Sequence, residues 1–289
     1  MQLIVVYLNN RGDQSPWMVW PVINQATEIG RFMSATKIFE KVPEIEYVES
    51  APETNVVEFE KVARSRRSVR VFTDEKIPEN VMRKCLDLAL LAPNSSNLQP
   101  WEFYWVRDPA KKAELARLCL GQPAATTAQE LVVCVARLDT WNRNRKLMIE
   151  MLEASDDPVP DSVMSYYKKV VPFAYGQGPL YLLGPIKKLI GSVVALTRPL
   201  PRGPASKSDM RVWAHKSTAL ACENLMLSLR AFGFDSCPIE GLDPRRIQKM
   251  LSLPRAAEIC MVISAGKRAA NGISGRQLRC DKSMFVFEV

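Results

Sequence analysis

Three short apolar runs set the frame of this 289-residue chain: WEFYWV at 101–106, ELVVCVARL at 130–138 and EICMVISAG at 258–266. Their β-branched and aromatic residues suit a pleated, buried surface, so each run reads as a strand. Segments with helical spacing surround them. These are VVEFEKVARS (56–65), PAKKAELARLCL (109–120), NRNRKLMIEML (142–152) and DPRRIQKMLSL (243–253). Ile77-Pro78-Glu79 opens another helix, with Val81, Cys85, Leu86, Leu88 and Ala89 on one face, stopping before Pro93. Asp209 reads as the cap of a long helix ending at Gly233, and Ala214, Ser217, Ala219 and Ala221 along it suit close packing. Irregular alternation of helices and strands implies an α+β domain around a central sheet. There is no internal repeat.

Composition narrows the chemistry. His215 is the only histidine, which disfavours serine–histidine hydrolysis and multi-histidine metal sites. The seven cysteines include no CxxC pair, and most lie in apolar segments, so they read as reduced core residues with no disulfide framework and no zinc site. MQLIVVYLNN is a poor signal peptide, and no segment has the length of apolar sequence that spans a bilayer. A cytoplasmic protein is expected. The formal net charge of +8 favours anionic partners.

Two regions resist periodic reading. Residues 1–55 form an unclassified N-terminal extension ahead of one domain at 56–289; residues 1–32 are expected to be poorly integrated, with Met33 a second plausible start. Residues 154–208, rich in proline and glycine, read as an insert. In it Tyr181, Leu182, Leu183, Ile186, Leu189 and Ile190 fall near Lys187, Lys188 and Arg198. That mixture suits either a lid over an apolar pocket or a peripheral membrane patch.

Four stretches carry candidate chemistry. RSRRSVRVF (64–72), if extended, points Arg66, Ser68 and Arg70 to one side, where two guanidiniums and a hydroxyl make a phosphate site. A solvated basic turn at a helix end is the alternative. APNSSNLQPW (92–101) holds amides able to read a heterocycle edge, or is simply a polar turn. In SCPIEGLD (236–243), Gly241 permits close backbone approach, and Glu240 could bind a sugar-like chain or cap the next helix. GKRAANGISGRQLR (266–279) is a glycine-punctuated basic loop that would also serve as plain surface.

Taken together and in this order, RRSVRVF, Ile77-Pro78, APNSSNLQPW, SCPIEG and SGRQLR resemble the nitroreductase family of FMN-dependent oxidoreductases. The resemblance covers about residues 57–153 and 209–289. Asn94 stands where serine is common, and the 154–208 insert is absent from compact members. The resemblance implies a mostly antiparallel central sheet flanked by helices, in a domain-swapped homodimer. FMN would lie between subunits, helix 209–233 would form the dimer core, and FVFEV would be the strand that reaches across.

Carried over residue by residue, it assigns the FMN phosphate and ribityl chain to Arg66, Arg67 and Ser68. Arg70 falls nearer the pyrimidine end, where a fixed cation raises the reduction potential. Asn97, with Gln99 beside it, matches the group on the ring's polar edge. Pro238, Ile239, Glu240 and Gly241 match the segment offering backbone N–H groups to the reactive nitrogen and its neighbouring carbonyl. Arg279 matches the late arginine of the phosphate site. Gln277 stands where a second basic residue is frequent, and Arg276 is placed as its substitute.

The activity implied is ping-pong hydride transfer from NADH or NADPH, through FMN, to a nitroaromatic or quinone-like small molecule, with no metal and no obligatory side-chain base. Reductive dehalogenation, flavin degradation and ring dehydrogenation would use the same motifs. A basic nucleic-acid-binding protein is the remote alternative: it needs a continuous basic stripe with exposed aromatics, whereas acidic residues are interspersed here.

Overall fold

The computed structural model describes residues 47, 49–178, 183–196, 199 and 203–289. The expectations for residues 1–32 and Met33 fall outside these residues, as do Tyr181, Leu182 and Arg198 of the insert.

Ten helices are described: α1 (Val56–Ser65), α2 (Glu79–Leu90), α3 (Pro109–Leu118), α4 (Pro123–Thr126), α5 (Trp141–Glu153), α6 (Asp161–Ser165), α7 (Val171–Tyr175), α8 (Leu183–Val194), α9 (Lys207–Ala231) and α10 (Pro244–Met250). The strands are β1 (Trp101–Trp105), β2 (Glu130–Arg137), β3 (Asp235–Ile239) and β4 (Ala257–Gly266). They form one sheet in the order β1-β2-β4-β3, with every neighbouring pair antiparallel. The expected α+β architecture is present.

Both faces of the sheet are covered, which is why β2 buries every residue from Leu131 to Ala136 instead of alternating. On one face Met82 and Cys85 of α2 and Leu225 and Leu229 of α9 pack on Val132, Cys134 and Ile263. On the other, Leu115 of α3 and Ile247 of α10 pack on Val133, Val135 and Val262. Small residues let α9 lie close to the sheet: Ala214, Ser217 and Ala221 are buried.

Three details depart from the sequence reading. Ser206, not Asp209, caps α9. Its Oγ accepts from the Asp209 N–H at 3.2 Å, while the Asp209 carboxylate accepts from the Ser206 N–H at 2.9 Å. Asp209 is thus the third-position partner of a capping box. Second, β4 bulges: Cys134 pairs with Met261 and Val135 with Ile259, leaving Cys260 as an extra residue. Its thiol meets the His215 carbonyl oxygen at 4.0 Å. Third, only five cysteines are buried; Cys260 is half-buried and Cys280, in the tail, is exposed.

Part of the 154–208 region packs firmly. A π turn (Tyr166–Val170) joins α6 to α7. Tyr167, Val171 and Tyr175 share a cluster with Leu98, Ala136, Met210 and Trp213. The tail at 285–289 forms no strand within the chain, and Phe285 and Phe287 are 68% and 74% exposed.

Candidate functional site

The basic stretch leaves α1 and runs extended along the outer edge of β3. Ser68 bridges Ser236 in parallel, and the Val69 N–H donates to the Ser236 carbonyl oxygen at 3.1 Å. Val69 and Phe72 are buried and anchor the segment. Arg66, Arg67, Ser68 and Arg70 line a cleft of about 490 Å³, whose other wall includes Ile273, Arg276, Gln277 and Arg279. The walls are joined by main chain: the Arg70 N–H donates to the Gly272 carbonyl oxygen at 2.8 Å. A Cβ on Gly272 would lie 2.6 Å from the Val71 oxygen, so only glycine fits this approach.

Among the described residues, five guanidinium groups and no carboxylate line the cleft. Glu223, half-exposed, stands 3.8 Å from Arg66 Nε. Asp235, the buried carboxylate on the same edge strand, is engaged by Arg230 and Arg268 at 3.3 and 2.5 Å. Arg70 and Arg276 make no ion pair among the described residues. Burial pushes the Cys237 thiol pKa up, while Arg70 and Arg66 pull it down, so both cations act on β3. Ser236 Oγ is buried beside Ser68 without a hydrogen-bond partner among the described residues. Fixed cations with unfilled donors suit a phosphate dianion.

The SCPIEG stretch is strand as far as Ile239. Pro238 is tolerated because β3 is an edge strand that needs no outward N–H there. Ile239 is buried, whereas Glu240 and Gly241 are exposed at the strand's end. The Gly241 carbonyl oxygen accepts from Gln122 Nε2 at 2.8 Å. Ser236 lies on β3 and Gly241 follows two residues beyond that strand's end at Ile239. The arginine cleft and this turn therefore sit along one sheet edge.

Asn97 and Gln99 are elsewhere. They precede β1, at the opposite edge. Trp101 pairs with Ala136, and Ala136 with Glu258, whereas Ser236 pairs with Ala265. The two points are six β2 residues apart, from Ala136 to Glu130, roughly 20 Å, and three strand spacings across, about 14 Å. Within one chain the amide loop and the arginine cleft occupy diagonally opposite corners of the sheet.

That loop is strained. Ser96, Asn97 and Gln99 have φ of 61°, 47° and 44°, a region that costs a non-glycine residue about 1–2 kcal/mol. The hydrogen bonds that hold Ser96 come from the aperiodic 154–208 region, and those to Leu98 and Gln99 come from α5. Ser96 Oγ lies 2.5 Å from Tyr166 Oη and 3.1 Å from Tyr175 Oη. Tyr167 Oη donates to the Ser96 carbonyl oxygen at 3.1 Å. Asn144 Nδ2 donates to the carbonyl oxygens of Leu98 and Gln99 at 2.8 and 3.2 Å. These tyrosines and Asn144 escaped the sequence reading; the aromatic density of YYKKVVPFAY was the available signal.

Lys187 donates to the carbonyl oxygens of Gly176 and Ala174 and lies 5.3 Å from the Phe173 ring centroid. Burial lowers its pKa to about 8. His215 pairs with Glu258 at 3.0 Å.

Comparison with known proteins follows the same outline. The sequence profile of the Nitroreductase family matches residues 63–267, well over half the chain. The "NADH dehydrogenase" of Thermus thermophilus is 26% identical over 78% of this chain and 95% of its own. Protein DrgA of Synechocystis is 27% identical over 73% and 85%. Among solved structures, YdfN of Bacillus subtilis, described as a nitroreductase, superposes with a TM-score of 0.66 at 20% identity, covering 81% of this chain and all of that one. A structure from Exiguobacterium sibiricum, described as a nitroreductase in complex with FMN, superposes with a TM-score of 0.56 at 20% identity, over 84% of this chain and 100% of its own.

Proposed function

This chain belongs to the nitroreductase family, and from that premise we propose that it is an FMN-dependent NAD(P)H oxidoreductase reducing nitroaromatic or quinone-like acceptors. The observation that carries this reading is the carboxylate-free cleft where Arg66, Arg67, Ser68 and Arg70 meet Arg276 and Arg279.

The residues present fit FMN. Arg66, Arg67, Ser68, Arg276 and Arg279 would hold the phosphate and ribityl chain. Glu240 and Gly241, further along the same edge, would offer main-chain donors, which are fixed and do not titrate; Pro238 and Ile239 hold that turn against the sheet. Arg70 contributes a cation that makes no ion pair among the described residues. When bound, FMN supplies hydride transfer between NAD(P)H and the acceptor.

Asn97 and Gln99 would serve the ring from a second copy of the chain. Their distance from the cleft supports a homodimer, because no single chain brings both corners to one ligand. The exposed apolar tail at 285–289, with Val212 and Leu220 of α9 at 64% and 45% exposure, supports the same assembly. For the insert, the carbonyl oxygens that engage Lys187 favour a lid over a membrane patch, since its ammonium is turned into the protein.

The visible spectrum of purified protein tests the reading. Flavin bands, or their appearance on adding FMN, followed by bleaching with NADH or NADPH and recovery with a quinone, are the expected result. A colourless protein that ignores FMN overturns it. Product analysis with halogenated aromatics separates reductive dehalogenation.

A further inference from the structure

We propose that Tyr166, Tyr167 and Tyr175 are positioning residues that hold the amide loop in its left-handed conformation and so aim Asn97 and Gln99 at the cofactor ring. The inference rests on the functional reading above. It concerns residues outside the four cofactor motifs, in the region that interrupts the family pattern.

Three adjacent features converge. Ser96, Asn97 and Gln99 all adopt φ values that side chains disfavour, so the loop would relax unless its surroundings fix it. Ser96 is gripped on both sides: its hydroxyl meets two tyrosine hydroxyls, and its carbonyl oxygen accepts from a third. Those tyrosines are themselves fixed. Tyr175 is 4% exposed and packs edge-on to Trp213 with ring centroids 4.8 Å apart, and it also stacks on Trp141 at 6.2 Å. Tyr167 is buried, and Tyr166 meets it edge-to-face at 5.4 Å. Rigid aromatic rings with hydroxyls at their tips therefore transmit the packing of the π turn and α7 to one strained turn.

The Asn97 side chain is left exposed, and among the described residues it touches only weak partners: Met148 Sδ at 3.8 Å, and Asn94 and Gln99 at 3.5 Å. A backbone held this firmly around an amide held this loosely is the arrangement of a preorganised donor that waits for a ligand.

The test compares Tyr166→Phe, Tyr167→Phe and Ser96→Ala with the wild type in FMN titration, visible circular dichroism of the bound flavin, and steady-state turnover. Each removes one hydroxyl and keeps the ring or backbone. The expected result is FMN affinity about tenfold weaker, with an altered visible dichroic band, while thermal stability without FMN changes little. Variants that lose stability but keep wild-type affinity, dichroism and kcat would show a merely structural role and overturn the inference. The functional reading survives that outcome; it fails only if the wild type itself takes up no FMN, which overturns both.

Discussion

Arg67 Nη2 donates to the carbonyl oxygen of Gly275 at 2.5 Å, across 208 positions of sequence. This contact closes the arginine cleft. It brings the basic stretch after α1 against the glycine-punctuated segment after β4, so cations from both ends of the fold face one volume. Arg279 lies beyond the part of the chain that the family profile matches, yet it lines the same cleft.

Removing one of these charges should weaken FMN binding without unfolding the chain. Arg66→Ala and Arg279→Ala are each expected to lower affinity about ten- to a hundredfold, the range for one charge-assisted hydrogen bond of roughly 1.5–3 kcal/mol. Arg64→Ala, which breaks only the exposed pair with Glu60 at 2.6 Å, should change little. Fluorescence titration of FMN decides it; equal affinities in all three variants would remove the cleft from the site.

Gly272→Ala should be costly. Its new Cβ would sit 2.6 Å from the Val71 oxygen and 3.0 Å from that of Ala269, both main-chain atoms that cannot swing away. A loss of about 1–3 kcal/mol is expected from the overpacking, together with weaker FMN binding as the two walls part. Chemical denaturation measures the first and titration the second. Gly275→Ala is the control, since a Cβ there meets nothing within 4 Å.

The His215–Glu258 pair should stabilise the fold chiefly on the acid side of neutrality. The contact with Cys260, and then Glu258, hold the His215 pKa above its usual value against burial. Burial would raise Glu258, but Arg211 and His215 outweigh it and hold that carboxyl down. The histidine's contribution is complete below about pH 6.5 and is lost as pH rises through its folded pKa; the carboxylate's is present above about pH 4.5 and is lost on acidification. His215→Gln should therefore lower the melting temperature more at about pH 5.5 than at about pH 9. A gap independent of pH would count against the pair.

Deleting residues 281–289 should abolish the proposed homodimer and, with it, FMN retention. The segment's Phe285, Val286 and Phe287 are all exposed within one chain, at 68%, 66% and 74%. Light scattering after size exclusion reads the assembly state. A truncated protein that remains dimeric and yellow would show that the tail does not hold the subunits together.

The sequence by itself determined the kinds of elements and the kinds of donors. Period and β-branching mark WEFYWV, ELVVCVARL and EICMVISAG as strands, because burial on a pleated sheet is read from near neighbours along the chain. The same local chemistry marks Arg66, Asn97 and Gly241 as candidate ligand contacts. Tertiary structure alone decided which of these meet. Arg67 finds Gly275 because Ser68 follows Ser236 along an edge strand, and no local pattern records that pairing. Asn97 lands at the opposite corner because β1 and β3 are the two edges of the sheet, an order fixed by packing on both faces. The grip of Tyr166, Tyr167 and Tyr175 on Ser96 spans about seventy residues and arises from a π turn inside a region without period. Such contacts come from long-range burial, where each side chain's place depends on faces contributed by distant parts of the chain.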